Sequence, residues 1–339
     1  VLLGWLLSML HDRYGQPCRL IGARPWCTQV FEGHPDVAQM WALDRHGSLF
    51  RRLDGWRALA ALRRDQAPLY ICETEPRRLG RVRRLLRLGG VDSRRCVFLS
   101  HQPFVRETHG GDRGTAFAQL TPPGLCAAGQ LPGLPASGRC EPGAGRPTLR
   151  IADAERAACS NYIRARGWDR RPIVLVQTGN RRTMRPRRLR PPPADSKAWP
   201  VDRWAALLHR LHARMPEAVL VLCGAEREAA LLNGIQSAAA LTAVHTAPVP
   251  LRLLFALCGQ AFGMISVDTG PAHAAAAVGL PLLVLFGEHS QRQWLPRSPL
   301  GTPVVGLGGP PTARRLCDLS VDDVFDAWLG LLERMSCET

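Results

Sequence analysis

Four residues that could together build an anion-binding turn fall near the C-terminal end of the chain, in GMISVDTGPAHAAAAVGLPLLVLFG (residues 263–287). They are Asp268, Thr269, Gly270 and His273. Glycine lets a ligand approach the backbone, and the hydroxyl and the imidazole can both add hydrogen bonds. The combination is typical of a phosphate-binding turn. The alternative interpretation is a capped, buried helix that contains a structural histidine.

The residues around this turn predict the elements that position it. Residues 264–267 and 282–286 are apolar and partly β-branched, which favours two strands. Between them a helix is expected to begin at Thr269 or Gly270, with a proline in its first turn, and to end at Gly279. The turn therefore follows the carboxyl end of a strand, where open α/β sheets bind ligands, and opens a helix whose N–H groups attract anions.

Length and composition describe a globular chain. The 339 residues are enough for two domains, and a hydrophobic content of 46% supports a buried core. The apolar start of the chain, residues 1–10, predicts a buried helix rather than a signal peptide, since no basic segment precedes it. The 11 cysteines are scattered without a Cys-x-x-Cys pair, which indicates reduced thiols in a cytoplasmic protein and neither a disulfide framework nor a zinc site.

The chain is strongly basic. Its formal net charge is +16, and of its 44 basic residues only Lys197 is a lysine. The abundance of Arg, Ala, Pro and Gly indicates a bias of the whole composition, so the charge is weak evidence for nucleic-acid binding. A basic surface favours anionic partners such as phosphates or anionic lipid headgroups.

Hydrophobic periodicity divides the chain into two α/β halves. In the first half strands are predicted at 18–23, 37–44 and 67–73, and amphipathic helices at 48–65 and 76–90. A loop rich in Gly, Pro and Thr is expected at 101–148. In the second half helices are predicted at 150–166, 201–215, 225–238 and 250–261, and further strands at 171–179 and 218–224. A terminal helix at 320–335 begins with a capping-box pattern, Ser320 and Asp323.

Three stretches together resemble the glycosyltransferase family 9 heptosyltransferases, which add sugars to the core of bacterial lipopolysaccharide. They are VDTGPAHAAAAVGLPLLVLFG (267–287) with QWLP (293–296), KAWPVDRWAALL (197–208) and LCGAEREAALL (222–232). The resemblance implies a GT-B fold, in which two Rossmann-like domains with parallel sheets face a central cleft. It implies an acceptor-side domain at 1–149, a nucleotide-sugar domain at 150–319 and a C-terminal helix at 320–339.

The resemblance also implies the reaction. The family transfers a sugar with inversion and without a metal ion from a nucleotide diphosphate donor, typically ADP-heptose. The acceptor here would be the lipopolysaccharide core or another anionic glycan. No Asp-x-Asp metal motif occurs in the sequence. We therefore expect no cofactor, no metal and no nucleic acid. We expect a cytoplasmic bacterial monomer that works at the inner face of the membrane.

Site residues follow from the resemblance position by position. Thr269 and Gly270 would bind the diphosphate and His273 would donate to it, while Asp268 would orient the turn. Lys197 would neutralise the charge that builds on the leaving diphosphate, in place of a metal ion. The alternative for Lys197 is a solvated loop lysine.

The nucleoside half of the donor has its own candidates. Glu228 would bind the ribose hydroxyls, and the alternative is an exposed helix carboxylate. Gly179 and Asn180 would line the phosphate pocket, and Val249 would offer backbone groups to the base. The nearby tryptophans are interpreted as packing residues: Trp199, Trp204 and Trp294.

One expected residue is missing. Family members carry a strand and a Gly-Asp turn just before the helix that opens here at Val1, and the aspartate of that turn is the general base. We expect the base upstream of Val1, because Asp12 and Asp44 are poor substitutes. An Arg/Pro-rich insertion at 180–196 is a second departure. A non-catalytic nucleotide-sugar or polyanion binding protein on the same fold is therefore the alternative function.

Overall fold

A computed structural model of the chain describes residues 3–24, 26–44, 53–65, 67–73, 76–98, 149–180, 182–183 and 196–337. The chain divides into two compact units at Arg146 and Pro147. The predicted loop at 101–148 and most of the insertion at 180–196 lie outside the described residues.

The first unit alternates helices and short parallel strands. Its elements are α1 (Gly4–Tyr14), β1 (Cys18–Arg24), α2 (Trp26–Phe31), β2 (Val37–Asp44), α3 (Leu53–Arg64), β3 (Leu69–Ile71), α4 (Pro76–Leu88) and β4 (Cys96–Phe98). Strand β1 pairs with β2, and β3 pairs with β4, both in parallel. The predicted strands and helices are confirmed, although β3 is shorter than expected. Helix α2 and strand β4 were not predicted, because they are too short to show a period.

The N-terminal helix is buried, as predicted, through Leu6, Leu7 and Leu10, each at most 6% exposed. These three leucines and Leu3 also line an apolar cavity of about 750 Å³. Residues of β1 and β3 also line the cavity. Within the described part of the unit, β1 pairs only with β2 and β3 only with β4, so each of these two cavity-lining strands has one unpaired edge.

The second unit is built on one parallel sheet with helices on both faces. Its strands are β5 (Ile173–Gln177), β6 (Val219–Gly224), β7 (Val244–Pro248), β8 (Gly263–Val267), β9 (Leu282–Phe286) and β10 (Val304–Gly308). Its helices are α5 (Asp153–Arg164), α6 (Val201–Arg214), α7 (Ala229–Ala239), α8 (Leu251–Cys258), α9 (Gly270–Ala277), α10 (Gln291–Trp294) and α11 (Val321–Cys337). Every residue of the central strands β5, β6, β8 and β9 is buried. Continuous apolar strands of this kind are typical of parallel sheets covered on both faces.

The sheet order places a switch point in the middle. The order is β10-β9-β8-β5-β6-β7, so the chain runs outward from β5 to β7 and then returns to the other side of β5 with β8. Ligands of open α/β sheets bind outside the carboxyl ends of the strands at this kind of reversal. The residues after β5 and β8 therefore face the expected ligand position.

Two strands of this sheet, β7 and β10, were not predicted. Both are edge strands with several half-buried residues, so their sequences lack the apolar run of the central strands. The capping box of α11 is confirmed, since the Ser320 N–H donates to Asp323 Oδ2 over 3.0 Å and the Asp323 N–H donates to Ser320 Oγ over 3.1 Å. Among the described residues, no helix combines the length and apolar character needed to cross a membrane.

Candidate functional site

The turn after β8 is positioned by the packing of α9 against the sheet, and its polar groups are accessible to a ligand. Thr269 is the N-cap of α9, in an extended conformation (φ −156°, ψ 167°), and its hydroxyl makes no capping bond within the described chain. A Cβ at Gly270 would meet no described atom within 4 Å. The alanines of α9 are all buried against the sheet. The Thr269 hydroxyl and the Gly270 backbone are thus accessible at a helix N-terminus, which suits a phosphate.

Lys197 points at this turn. Its Nζ lies 2.8 Å from Asp268 Oδ2, and the two side chains are only 17% and 10% exposed. The alternative of a solvated loop lysine is therefore wrong. The Asp268 carboxylate bonds side chains around the turn, and its expected role of orienting the turn stays a prediction.

His289 completes this cluster and was not predicted. Its Nδ1 lies 2.7 Å from the same Asp268 Oδ2. Burial alone would raise the pKa of Asp268, but the hydrogen bond from His289 and the charge of Lys197 hold that pKa at about 2. Because the carboxylate carries no proton at neutral pH, Nδ1 of His289 must be the donor. Its position just after β9 was the available signal, since neighbouring parallel strands end at one edge of the sheet.

Lys197 is fixed in place through its backbone. The carbonyl of Ser196 accepts the Leu316 N–H over 2.9 Å, and the carbonyl of Lys197 accepts from Asn180 Nδ2 over 3.1 Å. A Cβ at Gly287 would lie 2.0 Å from the Ser196 carbonyl oxygen, so only glycine fits at that position. These contacts tie the lysine segment to the ends of β5 and β9.

Glu228 lies inside the fold. It is 3% exposed, so the alternative of an exposed helix carboxylate is wrong, and burial raises its pKa. The Ala225 N–H donates to its Oε2 over 2.9 Å, and the Thr183 hydroxyl donates to its Oε1. Gly179 packs against this carboxylate so tightly that a Cβ would lie 2.0 Å from Oε1. The Asn180 N–H donates to Thr183 Oγ1 over 2.7 Å and so orders the turn after β5.

His273 is buried in the first turn of α9, at 9% exposure. Burial lowers its pKa from 6.5 to about 4, and the opposing charge of Asp268 does not offset this. The ring is therefore neutral at pH 7 and can donate one N–H. Its ring has no hydrogen-bond partner among the described residues, which disagrees with a satisfied core histidine and leaves a donor for a ligand.

The remaining predicted residues are mainly structural. The Val249 N–H donates to the Gly224 carbonyl over 3.1 Å, so that N–H is already engaged. Trp199 and Trp204 pack edge to face with ring centroids 4.7 Å apart and are buried, as predicted. Trp294 packs beside His289, with ring centroids 5.9 Å apart.

Comparison with protein families gives a match over residues 146–317 to a model described as glycosyltransferase family 9 (heptosyltransferase). A curated relative, lipopolysaccharide heptosyltransferase 3 of Escherichia coli, is 36% identical over 104 residues, or 30% of this chain. That match spans 31% of the relative's own length. The family match covers the lysine segment and the turn after β8, in the second unit.

Solved structures extend the similarity to nearly the whole chain. E. coli ADP-heptose lipopolysaccharide heptosyltransferase II has a TM-score of 0.65 at 18% identity, covering 99% of this chain and 95% of that one. The family 9 glycosyltransferase of Veillonella parvula has a TM-score of 0.65 at 14% identity, covering 98% and 93%. E. coli heptosyltransferase WaaC with ADP has a TM-score of 0.58 at 15% identity, covering 98% and 94%. At these identities the likeness shows a shared fold, and it confirms the predicted GT-B fold class.

Proposed function

The chain belongs to glycosyltransferase family 9, and on that premise we propose that it transfers a heptose-like sugar from an ADP-linked donor to a glycan acceptor. The acceptor is the core of lipopolysaccharide or another anionic, lipid-linked glycan. Transfer inverts the anomeric carbon and uses no metal ion or cofactor. The observation that carries the proposal is Lys197, held 2.8 Å from Asp268 beside a phosphate-binding turn.

The donor diphosphate binds at the N-terminus of α9. The Thr269 hydroxyl, the open backbone at Gly270 and the neutral His273 ring supply hydrogen bonds to it. As the bond to the sugar breaks, negative charge develops on the diphosphate. Lys197 stabilises that charge, and it does so strongly because the side chain is largely shielded from water.

The nucleoside lies toward the ends of β5 and β6. Glu228 binds the ribose when a ribose hydroxyl replaces the Thr183 hydroxyl at Oε1. Gly179 and Asn180 line the phosphate side of this pocket, and the carbonyl of Val249 faces the base. WaaC of E. coli has been solved with ADP and with ADP-2-deoxy-2-fluoro heptose, which supports an ADP-linked donor.

The general base comes from polypeptide that precedes Val1, in a turn after a further strand. The apolar cavity of the first unit supports this proposal, because β1 and β3 both line it and each has one edge without a partner among the described strands. Leu3, which lines that cavity, directly precedes α1. A strand entering there would pair in parallel with β1 through α1 as its crossover. Asp12 is exposed near the end of α1, away from the start of that helix.

The class of acceptor is inferred from the net charge of the chain. A net charge of +16 favours an anionic glycan and a position at the inner face of the cytoplasmic membrane, where anionic headgroups lie. We propose that the protein acts there as a monomer bound to the surface.

The test is a transfer assay with ADP-heptose and heptose-deficient lipopolysaccharide, measured by ADP release and by the mass of the product. It is run in EDTA, with this chain and with a version extended upstream of Val1. We expect donor binding by both chains and transfer by the extended one. Binding without transfer by the extended chain would support the second candidate, a non-catalytic nucleotide-sugar binding protein. Absence of binding by either chain would refute both.

A further inference from the structure

Helix α4 of the first unit carries six arginines among its 13 residues and no acidic residue. This density is well above that of the whole chain, so the overall bias of the composition does not account for it. One face of the helix is buried through Leu79 and Leu86, which are 6% and 8% exposed. The helix therefore packs on the first unit by its apolar face and leaves its arginines exposed to solvent.

Three of these arginines form a straight row opposite the buried face. Arg77, Arg81 and Arg84 are all exposed, and their spacing of four and three residues places them above one another on the helix surface. Leu88 follows four residues later on the same line and is 56% exposed. We call these four residues the arginine stripe. The stripe spans three turns of helix, or about 16 Å.

The stability of the helix does not explain the arginine stripe. Arg77 lies in the first turn, where the helix dipole disfavours a cation. Like charges three and four residues apart on a helix repel each other. Among the described residues, Arg77, Arg81 and Arg84 have no ion-pair partner, whereas Arg78 of the same helix lies 3.9 Å from Glu73. An anionic surface outside the protein would offset both unfavourable effects.

The form of the stripe favours a lipid surface over other polyanions. A straight row of cations matches a planar layer of anionic headgroups, and the exposed Leu88 can enter the boundary between headgroups and acyl chains. Arg63 of α3 adds charge at the same end of α4, since a Cβ at Gly90 would lie 3.6 Å from its Nε. Sites for single-stranded nucleic acid place aromatic side chains among the cations, and the stripe contains none.

We propose that the arginine stripe is the surface by which the protein binds an anionic phospholipid membrane. The three guanidinium groups contact headgroup phosphates, and Leu88 enters the interface beside them. The inference rests on the part of the proposed function that puts the protein at an anionic membrane, and it names the face that makes the contact. It requires neither the donor nor the transfer reaction, so it can be tested without either.

The test is co-sedimentation of the full chain with vesicles of phosphatidylcholine, with and without phosphatidylglycerol. The wild type should bind only the anionic vesicles, and binding should weaken as added salt screens the charges. The triple variant Arg77→Gln, Arg81→Gln, Arg84→Gln should bind them about a hundredfold more weakly, at about fivefold for each arginine. Glutamine is a good helix former, so α4 should persist. If the triple variant fails to fold, Arg81→Gln alone should show the fivefold loss.

The matched control replaces three exposed arginines of the second unit, Arg156→Gln, Arg164→Gln and Arg170→Gln, and lowers the net charge by the same amount. It should bind anionic vesicles like the wild type. Equal losses in the two triple variants would overturn the inference, because net charge alone would then drive binding. Absence of wild-type binding to anionic vesicles would overturn it too. A stripe variant that loses RNA binding but keeps vesicle binding would make the stripe a nucleic-acid site instead.

The same proteins separate this inference from the proposed reaction. Transfer by the extended chain to a soluble, lipid-free glycan should be unchanged by the stripe substitutions. Such transfer without vesicle binding would overturn the stripe and leave the reaction standing. Vesicle binding through the stripe without any transfer would do the reverse.

Discussion

Lys197 and Asp268 form an ion pair of 2.8 Å that joins the segment before α6 to the turn after β8. The two residues are 71 positions apart in the chain. The pair places a cation beside a helix N-terminus, so two sources of positive charge converge on one open turn.

Removing Lys197 should affect the reaction and the fold differently. In the active enzyme Lys197→Ala should lower kcat by about one to two decades, the value of one charge-assisted contact to the diphosphate. It should also cost about 1–3 kcal/mol of unfolding free energy, because Asp268 loses an ionic partner. Chemical denaturation and steady-state kinetics measure the two effects.

The double variant with Asp268→Ala separates the two roles of Lys197. It should regain part of the lost stability, since no unpaired carboxylate remains, but none of the lost rate. A full rate in Lys197→Ala would remove this residue from the mechanism.

Gly270→Ala tests whether a ligand approaches the turn. A Cβ there meets no described atom within 4 Å, so the unfolding free energy should stay within about 0.5 kcal/mol of the wild type. Affinity for ADP should nevertheless fall, because the methyl group occupies the space of the diphosphate. Gly234→Ala in α7, which also has open space, is the matched control and should leave affinity unchanged. Unaltered ADP affinity in Gly270→Ala would place the diphosphate elsewhere.

His273 should make the protein sensitive to mild acid. Its pKa is 6.5 when exposed and about 4 when buried in the fold, so between these values the unfolded chain binds the extra proton. Above pH 6.5 the titration of His273 does not reduce the free energy of unfolding. As the pH falls to about 4, it lowers that free energy by about 3 kcal/mol. His273→Gln cannot titrate, so its unfolding free energy should fall less over that window. Parallel curves for the two proteins would contradict the assigned burial.

His273→Ala should weaken ADP binding at pH 7, because the donor N–H of the ring is removed. Burial of the ring means that a shift in melting temperature is expected too. If the variant and the wild type are folded to the same extent and bind ADP with the same affinity, His273 is a purely structural residue.

Gly287→Ala should displace the lysine segment. The added Cβ would lie 2.0 Å from the Ser196 carbonyl oxygen and 3.0 Å from the Leu316 nitrogen, which are backbone atoms that cannot move alone. We expect a loss of about 1–3 kcal/mol and a lower kcat, since Lys197 shifts with Ser196. Gly330→Ala, in the open middle of α11, is the control and should be neutral or slightly stabilising. A wild-type melting temperature in Gly287→Ala would show that this segment adjusts freely.

Local sequence patterns were enough to predict the unit that carries the turn. Buried parallel strands are continuous apolar runs, and a helix start carries local capping signals. The strand, turn, helix and strand from Gly263 to Phe286 could therefore be predicted nearly residue by residue. The family resemblance then placed Lys197 and Glu228 in the same site. Such features depend on residues that are adjacent in sequence, so they can be predicted from the sequence alone.

The contacts between distant residues became visible in the folded chain. It paired Lys197 with Asp268, brought His289 to the same oxygen and buried Glu228 beneath Thr183. Edge strands such as β10 also escaped prediction, because half-buried residues give no continuous apolar run. The reason is common to all of these. A lone lysine, histidine or glutamate has the same local sequence whether it is solvated or paired, and the sheet order alone decides which strand ends lie side by side.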